Sequence, residues 1–387
     1  MQVIMFDPGN YTPHYVADLC AALASLDVRV ELITSPPLFE EVEHSHSFPT
    51  QELFFPSVRG ARRQFLRRHA RLRQALKALS YPLGLWRTWK ALKDRPPGVL
   101  HVQWALLPAL DAVFLRKLRR RGWRVVYTAH DLITDLARPL SRGQWRRMYR
   151  QTDAVIVHLA RLAQVLRDHS GDIFREIRAI PQGVSTFSVS RDADRGRARQ
   201  MLGLDADAPL LLFFGMIKPY KGLDSLLRAW PQVLVEFPKS KLLIAGEPML
   251  SFQPLERLID NLNIRNSVVL KLGYVPSSQA QHLFCAADAV VLPYVEISTS
   301  GVVPVAYHYA RPVIATSVGG LPELVKEGET GFLVRPGSEA ALAEAICRGL
   351  RNPSMLAEMG ARGHEWFERE HSWSAVARQT LELYRSL

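Results

Sequence analysis

The sequence predicts an α/β protein built from two consecutive parallel-sheet units. Short apolar runs alternate with helix-length amphipathic stretches, the pattern of parallel strands joined by crossover helices. The chain has 387 residues, 48% of them hydrophobic, which is too many for one ordinary core and suits two domains. A polar, charged stretch around 186–199 interrupts the alternation, and the pattern then starts again. We therefore expect one unit over 1–187, a second over 188–370 and a terminal helix over 371–387.

Each unit is predicted to contain six strands. In the first they are QVIMF (2–6), RVELIT (29–34), VLHVQW (99–104), RVVYTA (124–129), AVIVH (154–158) and IRAIP (177–181). In the second they are LLLFFG (210–215), KLLIAG (241–246), SVVLKLG (267–273), AVVLPY (289–294), PVIAT (312–316) and GFLV (331–334). Ligands of open parallel sheets bind beyond the carboxyl ends of the strands. The residues that directly follow each strand are therefore the candidates for a functional site.

The net charge of +12 lies entirely in the first half of the chain. Residues 1–185 hold 28 Lys and Arg against 16 Asp and Glu, whereas residues 186–387 hold 21 of each. A basic half beside a neutral half predicts an anionic partner for the first unit, such as a membrane surface, a phosphorylated acceptor or nucleic acid.

The basic residues are densest over 59–95, which carry twelve Lys and Arg and a single acid. Within this stretch Phe65, Leu72, Leu76 and Leu79 fall on one helical face, and Arg63, Arg67 and Arg71 recur every fourth residue on another. Such a basic amphipathic helix is typical of contact with an anionic membrane surface. The alternative is the solvated face of an ordinary packed helix, and both interpretations stay open.

The cysteines and the hydropathy pattern indicate a cytoplasmic protein. Cys20, Cys285 and Cys347 are far apart without paired spacing, so they predict reduced, buried thiols and neither a disulfide framework nor a zinc site. The chain has no apolar run of 18 residues, and no basic segment precedes an apolar one at Met1, so we expect neither a membrane span nor a secretory signal.

Two lysines follow the first strand of the second unit. Gly215 and Gly222 bracket the turn MIKPYK, and LDSLLRAW then has helical spacing. A helix N-terminus beside Lys218 and Lys221 would suit a diphosphate. The alternative is a pair of solvated surface lysines. The chain contains neither a P-loop nor a dinucleotide fingerprint.

The next two strands also end in glycine. Gly246 closes KLLIAG, and Gly273, Tyr274 and Val275 follow SVVLKL. The backbone edge from Gly273 to Val275 would suit a flat base, and the alternative is a pair of turns without a ligand.

A carboxylate and a polar cap follow the strand AVVL. Glu296 precedes Ser298, Thr299, Ser300 and Gly301, and a helix-length stretch comes next. A lone carboxylate beside a helix cap suits a sugar hydroxyl and its phosphates. Alternatively, Ser300 is only a cap and Glu296 a surface acid.

Taken in order, GMIKPYKGLDSLL, LLIAGEP, LGYVPSSQAQHLFCAADAVVLPYVE and SGVVPVAYHYARPVIATSVGGLPELVKEGETGFLV resemble the retaining, nucleotide-sugar-dependent glycosyltransferases, a family that includes phosphatidylinositol mannosyltransferases, sucrose synthases and lipopolysaccharide and exopolysaccharide enzymes. FDPGNYTPHYVADLC, YTAHDLI, DAVIVHL and IPQGVS match more loosely. The resemblance implies a GT-B fold, in which two Rossmann-like domains face each other across a cleft. The first would bind the acceptor and the second the donor, and the terminal helix would cross back to the first.

The resemblance also implies roles for particular residues. Lys218 and Lys221 would hold the donor diphosphate, and the edge Gly273–Val275 would receive the base. Glu296 would bind hydroxyls of the transferred sugar, and Ser300 and Gly301 would meet phosphate. His130 would orient the donor sugar from the first domain, and Gly9 would give close backbone access to donor and acceptor. His130, Lys221 and Glu296 are thus the expected catalytic residues.

Two positions depart from the family pattern. Met216 stands where many members have an arginine, and we expect Lys218 to supply the missing charge. An apolar residue near Val305 stands where many members have a second glutamate that holds the ribose, so the nucleotide preference is left open.

The expected reaction is transfer of a sugar, with retention, from a nucleoside-diphosphate sugar to a glycan or lipid-linked acceptor, in cell-surface polysaccharide synthesis. The protein would act at the periphery of the inner membrane face, and we expect no metal and no other cofactor, since no DxD motif ends a strand. Alternatives are a nucleotide-sugar epimerase or a phosphorylase on the same fold, and a basic nucleic-acid-binding protein. No helix-turn-helix, zinc-finger or RNP-like motif supports the last, so nucleic acid is not an expected partner.

Overall fold

The computed structural model describes residues 1–36, 48–56, 70–130, 139–170, 173–183, 195–297 and 299–387, excepting the side chains at 70–75, 139–142, 169–170 and 277. The chain divides into two compact units. One comprises Met1–Ser185 together with Ser372–Leu387, and the other comprises Thr186–His371. Among the described helices, none combines the length and the apolar character that a bilayer crossing would require.

The first unit contains a seven-stranded parallel sheet in the order β3-β2-β1-β4-β5-β6-β7. Its strands are β1 (Gln2–Asp7), β2 (Arg29–Thr34), β3 (Thr50–Glu52), β4 (Val99–Val102), β5 (Arg124–Thr128), β6 (Ala154–Val157) and β7 (Ile177–Ala179). Val3 pairs with Val30 on one side and with Val99 on the other, so β1 lies inside the sheet.

The second unit contains a six-stranded parallel sheet in the order β10-β9-β8-β11-β12-β13. Its strands are β8 (Leu210–Phe214), β9 (Lys241–Gly246), β10 (Val268–Leu272), β11 (Ala289–Leu292), β12 (Val313–Thr316) and β13 (Gly331–Val334). Leu211 pairs with Leu242 of β9 and with Ala289 of β11, so β8 is an inner strand here as β1 is in the first sheet.

Helices connect the strands and cover the sheets. In the described part of the first unit they are α1 (Pro13–Ala24), α2 (Ala70–Leu92), α3 (Pro108–Arg119), α4 (Pro139–Tyr149) and α5 (Ala160–Ser170). In the second they are α6 (Arg195–Met201), α7 (Leu223–Glu236), α8 (Gln253–Asn261), α9 (Ser277–Ala286), α10 (Val302–His308), α11 (Leu321–Leu324), α12 (Glu339–Arg351) and α13 (Pro353–His371). The terminal helix α14 (Trp373–Ser386) belongs to the first unit.

Alternate residues of β1 enter opposite cores. Ile4 and Phe6 belong to a cluster that also contains Tyr81 of α2. Val3 and Met5 belong to a second cluster, to which α1 and α14 contribute. A central parallel strand is covered on both faces, which is why these segments are almost continuously apolar in the sequence.

All twelve predicted strands are present, and their ends agree with the prediction to within two residues. The strand β3 was missed because it is a three-residue, polar segment (TQE) at the sheet edge, paired on one side only with β2. Three cysteines were expected to be buried, unpaired thiols, and this is confirmed.

The basic stretch 59–95 is described only in part. Arg63, Phe65 and Arg67 lie outside the described residues, as do the side chains of Arg71 and Leu72. From Ala70 onward the predicted helix is present as α2, which ends at Leu92.

Candidate active site

The strand order places the crevice of the second unit between β8 and β11. The chain runs from β8 outward through β9 to β10, then returns to β11 on the other side of β8 and continues outward to β12 and β13. The loops that leave β8 and β11 therefore diverge at their carboxyl ends, and such a topological switch point is where ligands of open α/β sheets bind. The first carries Lys218 and Lys221, and the second carries Glu296 and Ser300.

Three glycines close the ends of the neighbouring strands β8, β9 and β10. The Gly215 N–H donates to Ala245 O at 2.9 Å, and the Gly273 N–H donates to Gly246 O at 3.0 Å. Gly246 has φ +148°, and a Cβ there would lie 2.1 Å from the carbonyl oxygen of Gly215. The turns after these strands thus pack backbone against backbone, and only glycine fits at Gly246.

Lys221 is buried beside this junction. It ends a short 3-10 turn, Pro219–Lys221, that precedes α7, and its side chain is 8% exposed. The Nζ atom lies 5.4 Å from the ring centroid of Tyr294. Burial, reinforced by the neighbouring charge of Lys218, lowers the pKa of Lys221 to about 8. Because Lys221 is buried, the interpretation as a solvated surface lysine is wrong for this residue. Among the described residues no carboxylate forms an ion pair with it.

Lys218 is half-buried and lies on another side of the same turn. Its Nζ atom is 5.8 Å from the ring centroid of Tyr220. It also lines a cavity of about 310 Å³ together with Ile217, Leu250 and Phe252. Met216, at the position where arginine was expected, has a side chain that is 50% exposed.

The loop after β11 is fixed against the lysine turn. The Val295 N–H donates to Tyr220 O at 2.8 Å. A Cβ on Gly222 would lie 2.0 Å from Pro293 O, so these two backbones also touch directly. Glu296 follows this anchored segment and is exposed. The backbone that leads to Glu296 is therefore anchored, and its side chain is exposed.

In the predicted polar cap that follows, Ser300 and Gly301 differ in exposure. Ser300 is buried, and its Oγ accepts from the Val302 N–H at 3.3 Å. A hydrogen bond from Ser300 also lowers the pKa of the Tyr294 hydroxyl, although burial outweighs it and raises that pKa to about 12. The Ser300 bond is a local turn contact, because the residue that caps α10 is Gly301 and no side chain caps this helix. Gly301 is exposed, with open space where a side chain would be, and Ser298 lies outside the described residues.

The predicted base edge lies after β10. Tyr274 is 65% exposed, and Gly273 and Val275 are half-buried. Since the Gly273 N–H is bonded to Gly246 O, hydrogen bonds to a base from this edge would come from the other backbone groups of the segment.

In the first unit, His130 lies within a hydrogen-bonded chain of buried groups. Its Nε2 donates to Gln103 Oε1 at 2.9 Å, and its Nδ1 lies within hydrogen-bonding distance of His158 Nε2, at 3.2 Å. The chain continues from Gln103 Nε2 to His101 at 3.2 Å, and from His101 Nδ1 to the hydroxyl of Tyr384 at 2.6 Å. Both nitrogens of His130 are thus engaged inside the unit.

The surroundings of His130 favour a neutral imidazole. Its ring stacks on Trp104 with centroids 4.9 Å apart and planes at 17°. Desolvation, followed by the two neighbouring histidines, lowers the pKa of His130 well below its usual value. A neutral, hydrogen-bonded imidazole with a low pKa is suited to positioning and is a poor general base at pH 7.

Gly9 lies in the loop after β1, and a side chain covers it. A Cβ there would lie 2.6 Å from the ring of Tyr11, and the Gly9 carbonyl accepts from Lys77 Nζ at 3.5 Å. Asp7, at the end of β1, is fully buried, and its Oδ2 has no hydrogen-bond partner. Desolvation raises the pKa of Asp7 to about 7.

Two family profiles match the chain. A profile described as Glycosyltransferase Family 4 matches residues 13–186, and one described as Glycosyl transferases group 1 matches residues 208–352. The chain belongs to the GT-B glycosyltransferases. A relative from Streptomyces scabiei, a D-inositol 3-phosphate glycosyltransferase, is 33% identical over 239 residues. That alignment covers 58% of this chain and 53% of the relative, so the chain spans about half of the relative's length.

Solved structures agree with this glycosyltransferase fold. Sucrose-phosphate synthase from Thermosynechococcus elongatus superposes with a TM-score of 0.76 at 25% identity, covering 100% of this chain and 99% of that one. Anabaena HepE, solved in complex with UDP, has a TM-score of 0.77 at 18% identity and covers 100% of both chains. At 18% identity, the similarity to HepE shows the fold alone.

Sequence reasoning missed several residues of this glycosyltransferase's candidate site. Tyr294 forms the wall beside Lys221, and Gln103, Trp104 and His158 surround His130. Each stands directly after a strand or at the end of a predicted strand, so the rule that ligands bind at carboxyl ends could have found them. They were passed over because tyrosine, tryptophan and glutamine at a strand end are equally typical of core packing.

Within the part of the chain that the structure describes, no cluster of three or more His, Cys, Asp or Glu side chains is arranged to hold a metal ion.

Proposed function

We propose that this glycosyltransferase transfers a sugar, with retention of configuration, from a nucleoside-diphosphate sugar to a hydroxyl of a glycan or lipid-linked acceptor in cell-surface polysaccharide synthesis. The observation that carries the proposal is the buried ammonium of Lys221, which has no ion-pair partner among the described residues and lies at the switch point of the second sheet. A buried charge is costly unless a counter-charge is present. A diphosphate in the crevice would supply it.

The residues around Lys221 suit the remaining parts of a donor. Lys218, on the same turn, adds a second cation that reinforces attraction for a diphosphate. Glu296 is an exposed carboxylate on an anchored loop, where it would accept hydrogen bonds from sugar hydroxyls. The base would lie along Gly273–Val275. UDP bound to Anabaena HepE, and UDP-glucose bound to the same protein, support a uridine nucleotide as the first donor to test.

In the proposed mechanism the protein catalyses the reaction mainly by stabilising charge on the leaving diphosphate. As the bond from the anomeric carbon to the diphosphate breaks, negative charge grows on the leaving phosphate, next to the Lys221 ammonium. The acceptor hydroxyl would attack from the same face and give its proton to that phosphate, which yields retention. We propose that no metal is needed, because the lysines supply positive charge at the diphosphate.

An exposed apolar stripe on the first unit supports a lipid-linked acceptor. On α2, Leu76, Leu79, Leu83 and Trp86 are 38%, 80%, 47% and 51% exposed and recur at helical spacing. Lys90 lies over the Trp86 ring at 4.0 Å, so a cation flanks the stripe. An apolar helix face bordered by basic residues is typical of a helix that lies on an anionic membrane.

A donor screen tests the transferase proposal. Thermal unfolding would be measured with UDP-, GDP-, ADP- and dTDP-sugars, each with magnesium and with EDTA. A ligand at a thousand times its Kd stabilises the folded state by about 4 kcal/mol. We expect one nucleotide to stabilise the protein equally in magnesium and EDTA, and Glu296→Ala to lower affinity for the nucleotide sugar more than for the nucleotide. If no nucleotide sugar stabilises the protein while DNA binds it in a salt-sensitive manner, the transferase proposal is wrong.

Two further measurements address the finer parts. The anomeric configuration of the product, read by proton NMR, would match that of the donor if the reaction proceeds with retention. Co-sedimentation with vesicles tests the membrane contact: we expect binding to anionic but not to neutral vesicles, weakened by Leu79→Glu. Val235→Glu is the matched control, because Val235 is 87% exposed on α7 of the other unit and should not affect binding. Equal binding by both variants would contradict the membrane contact.

A further inference from the structure

A second cavity lies in the second unit, at the edge of the sheet opposite to Lys221. It has a volume of about 370 Å³. Pro209, Asp288 and Pro312 line it, and they directly precede β8, β11 and β12. The cavity is therefore at the amino ends of β8 and β11, whose carboxyl ends lead to Lys221 and Glu296, and of their neighbour β12.

An unpaired arginine lines this cavity. Arg311 lies in the turn between α10 and β12, and its Nε atom is buried without a hydrogen-bond partner. No hydrogen bond or ion pair joins its side chain to any residue in the described ranges. Burial lowers the pKa of its guanidinium, which means that the cation is poorly solvated where it stands. A guanidinium offers five donors in a planar fork, so several of them remain for a ligand.

The neighbouring acid forms no ion pair with Arg311, and its two oxygens have other partners. Asp288 Oδ1 accepts from Arg195 Nη2 at 2.5 Å, and its Oδ2 accepts from Arg199 Nη2 at 2.9 Å. The same Oδ2 also accepts from the Leu210 N–H at 2.8 Å. Asp207 is the other acid of the lining and is exposed at the rim. Two arginines and two acids thus line the cavity, and of the two arginines only Arg311 has no ion pair among the described residues.

An apolar wall completes the cavity. Leu350 and Leu356 give it an apolar part against which a small organic body could pack. The first turn of α13 adds no free donor from Met355 or Leu356, because both N–H groups donate to Asn352, and Pro353 has no N–H. A guanidinium beside an apolar wall suits an oxyanion carried on a small organic molecule.

We propose that this cavity, which we name the Arg311 pocket, binds a small organic anion through a phosphate or carboxylate group held by the Arg311 guanidinium. The site is separate from the donor crevice and does not depend on the proposed function. The phosphate or carboxylate would occupy the position next to the unpaired Nε, and the organic body would lie against Leu350 and Leu356.

Calorimetric titration of the full chain tests the proposal. The probes are inorganic phosphate, glucose 6-phosphate, malonate and, as the neutral control, glucose. We expect saturable binding of at least one anion, none of glucose, and glucose 6-phosphate to bind more tightly than inorganic phosphate if phosphate is the preferred group. Tighter binding of malonate than of either phosphate compound would assign a carboxylate to the pocket.

Variants locate the binding. Arg311→Gln should weaken binding of the anion at least tenfold. Ala357→Glu, an exposed helix position that lines the pocket, should do the same through its added carboxylate and leaves Arg311 in place. Arg197→Gln, on the exposed side of α6, is the matched control, and Lys221→Met keeps the pocket while altering the donor crevice. The proposal is overturned if no anion binds the wild type, if both pocket variants bind normally, or if Lys221→Met alone abolishes binding.

Discussion

Replacing Lys221 by methionine should stabilise the ligand-free protein while removing its affinity for the donor. Methionine fills a similar, unbranched volume and carries no charge. The pKa of Lys221 is lowered from 10.5 to about 8 by burial. Since a tenfold change in proton affinity corresponds to about 1.4 kcal/mol, the charged lysine costs the folded state about 3 kcal/mol. The side chain is only 8% exposed, so solvent screening reduces this value little.

The pH dependence of this gain follows from the sign of the shift. A lysine whose pKa is lowered on folding reduces the free energy of unfolding. The reduction is complete below about pH 8 and disappears as the pH rises from there towards 10.5. Lys221→Met should therefore raise the free energy of unfolding by about 3 kcal/mol at pH 7 and by about half of that at pH 9.5. In a domain of this size the gain at pH 7 corresponds to a rise of roughly 6–12 °C in the midpoint of the unfolding transition.

The assay is thermal unfolding at pH 7 and pH 9.5, with and without the donor identified by the screen. Lys239→Met is the matched control: Lys239 is exposed on the same unit, and its loss should change stability by less than about 0.5 kcal/mol and leave donor binding intact. The reasoning is refuted if Lys221→Met is no more stable than the wild type at pH 7, or if it retains the donor-induced shift.

Three further predictions concern the same glycines and buried charges. Donor affinity should be constant from pH 6 to 7 and fall about tenfold by pH 9, as free Lys221 loses its proton near pH 8, and calorimetry should find no such fall in Lys221→Arg. Asp7→Asn should raise the free energy of unfolding by up to about 4 kcal/mol at pH 8 and leave it unchanged at pH 4, since the pKa of Asp7 rises to about 7 on folding. An equal rise at both pH values would contradict this. Gly246→Ala should weaken donor binding at least tenfold, because its Cβ would strike Gly215 O. Gly273→Ala shares the strain of a positive φ, +118° against +148°, but has no atom within 4 Å of the added Cβ and should cost less; equal losses would argue against the backbone contact.

The strands could be predicted because both sheets are parallel and buried on both faces. In such sheets every central strand is a continuous apolar run, and runs such as LLLFF and AVVL stand out from their polar surroundings. The edge strand β3 has no such run, and pairing with β2 alone defines it. The strand order was not predictable from any single segment, since it depends on which strands pair.

The candidate site was predicted where a charge or a glycine marks a strand end. Lys221 and Glu296 were found this way, and the structure gives them different surroundings, one buried and the other exposed. The Lys221 ammonium lies over the ring of Tyr294, which comes from another loop and could not be recognised as a neighbour from the sequence. Likewise, the hydrogen-bonded chain around His130 joins residues from the three strands β4, β5 and β6 and from α14, so no local pattern signals it.

A crystal structure with the stabilising nucleoside diphosphate tests the central claim most directly. We predict density for the diphosphate within 3.5 Å of Lys221 Nζ, beside Gly215, and the sugar of the intact donor within hydrogen-bonding distance of Glu296. A diphosphate bound elsewhere, for example in the Arg311 pocket, with the crevice between β8 and β11 unchanged, would contradict the assignment of the donor site.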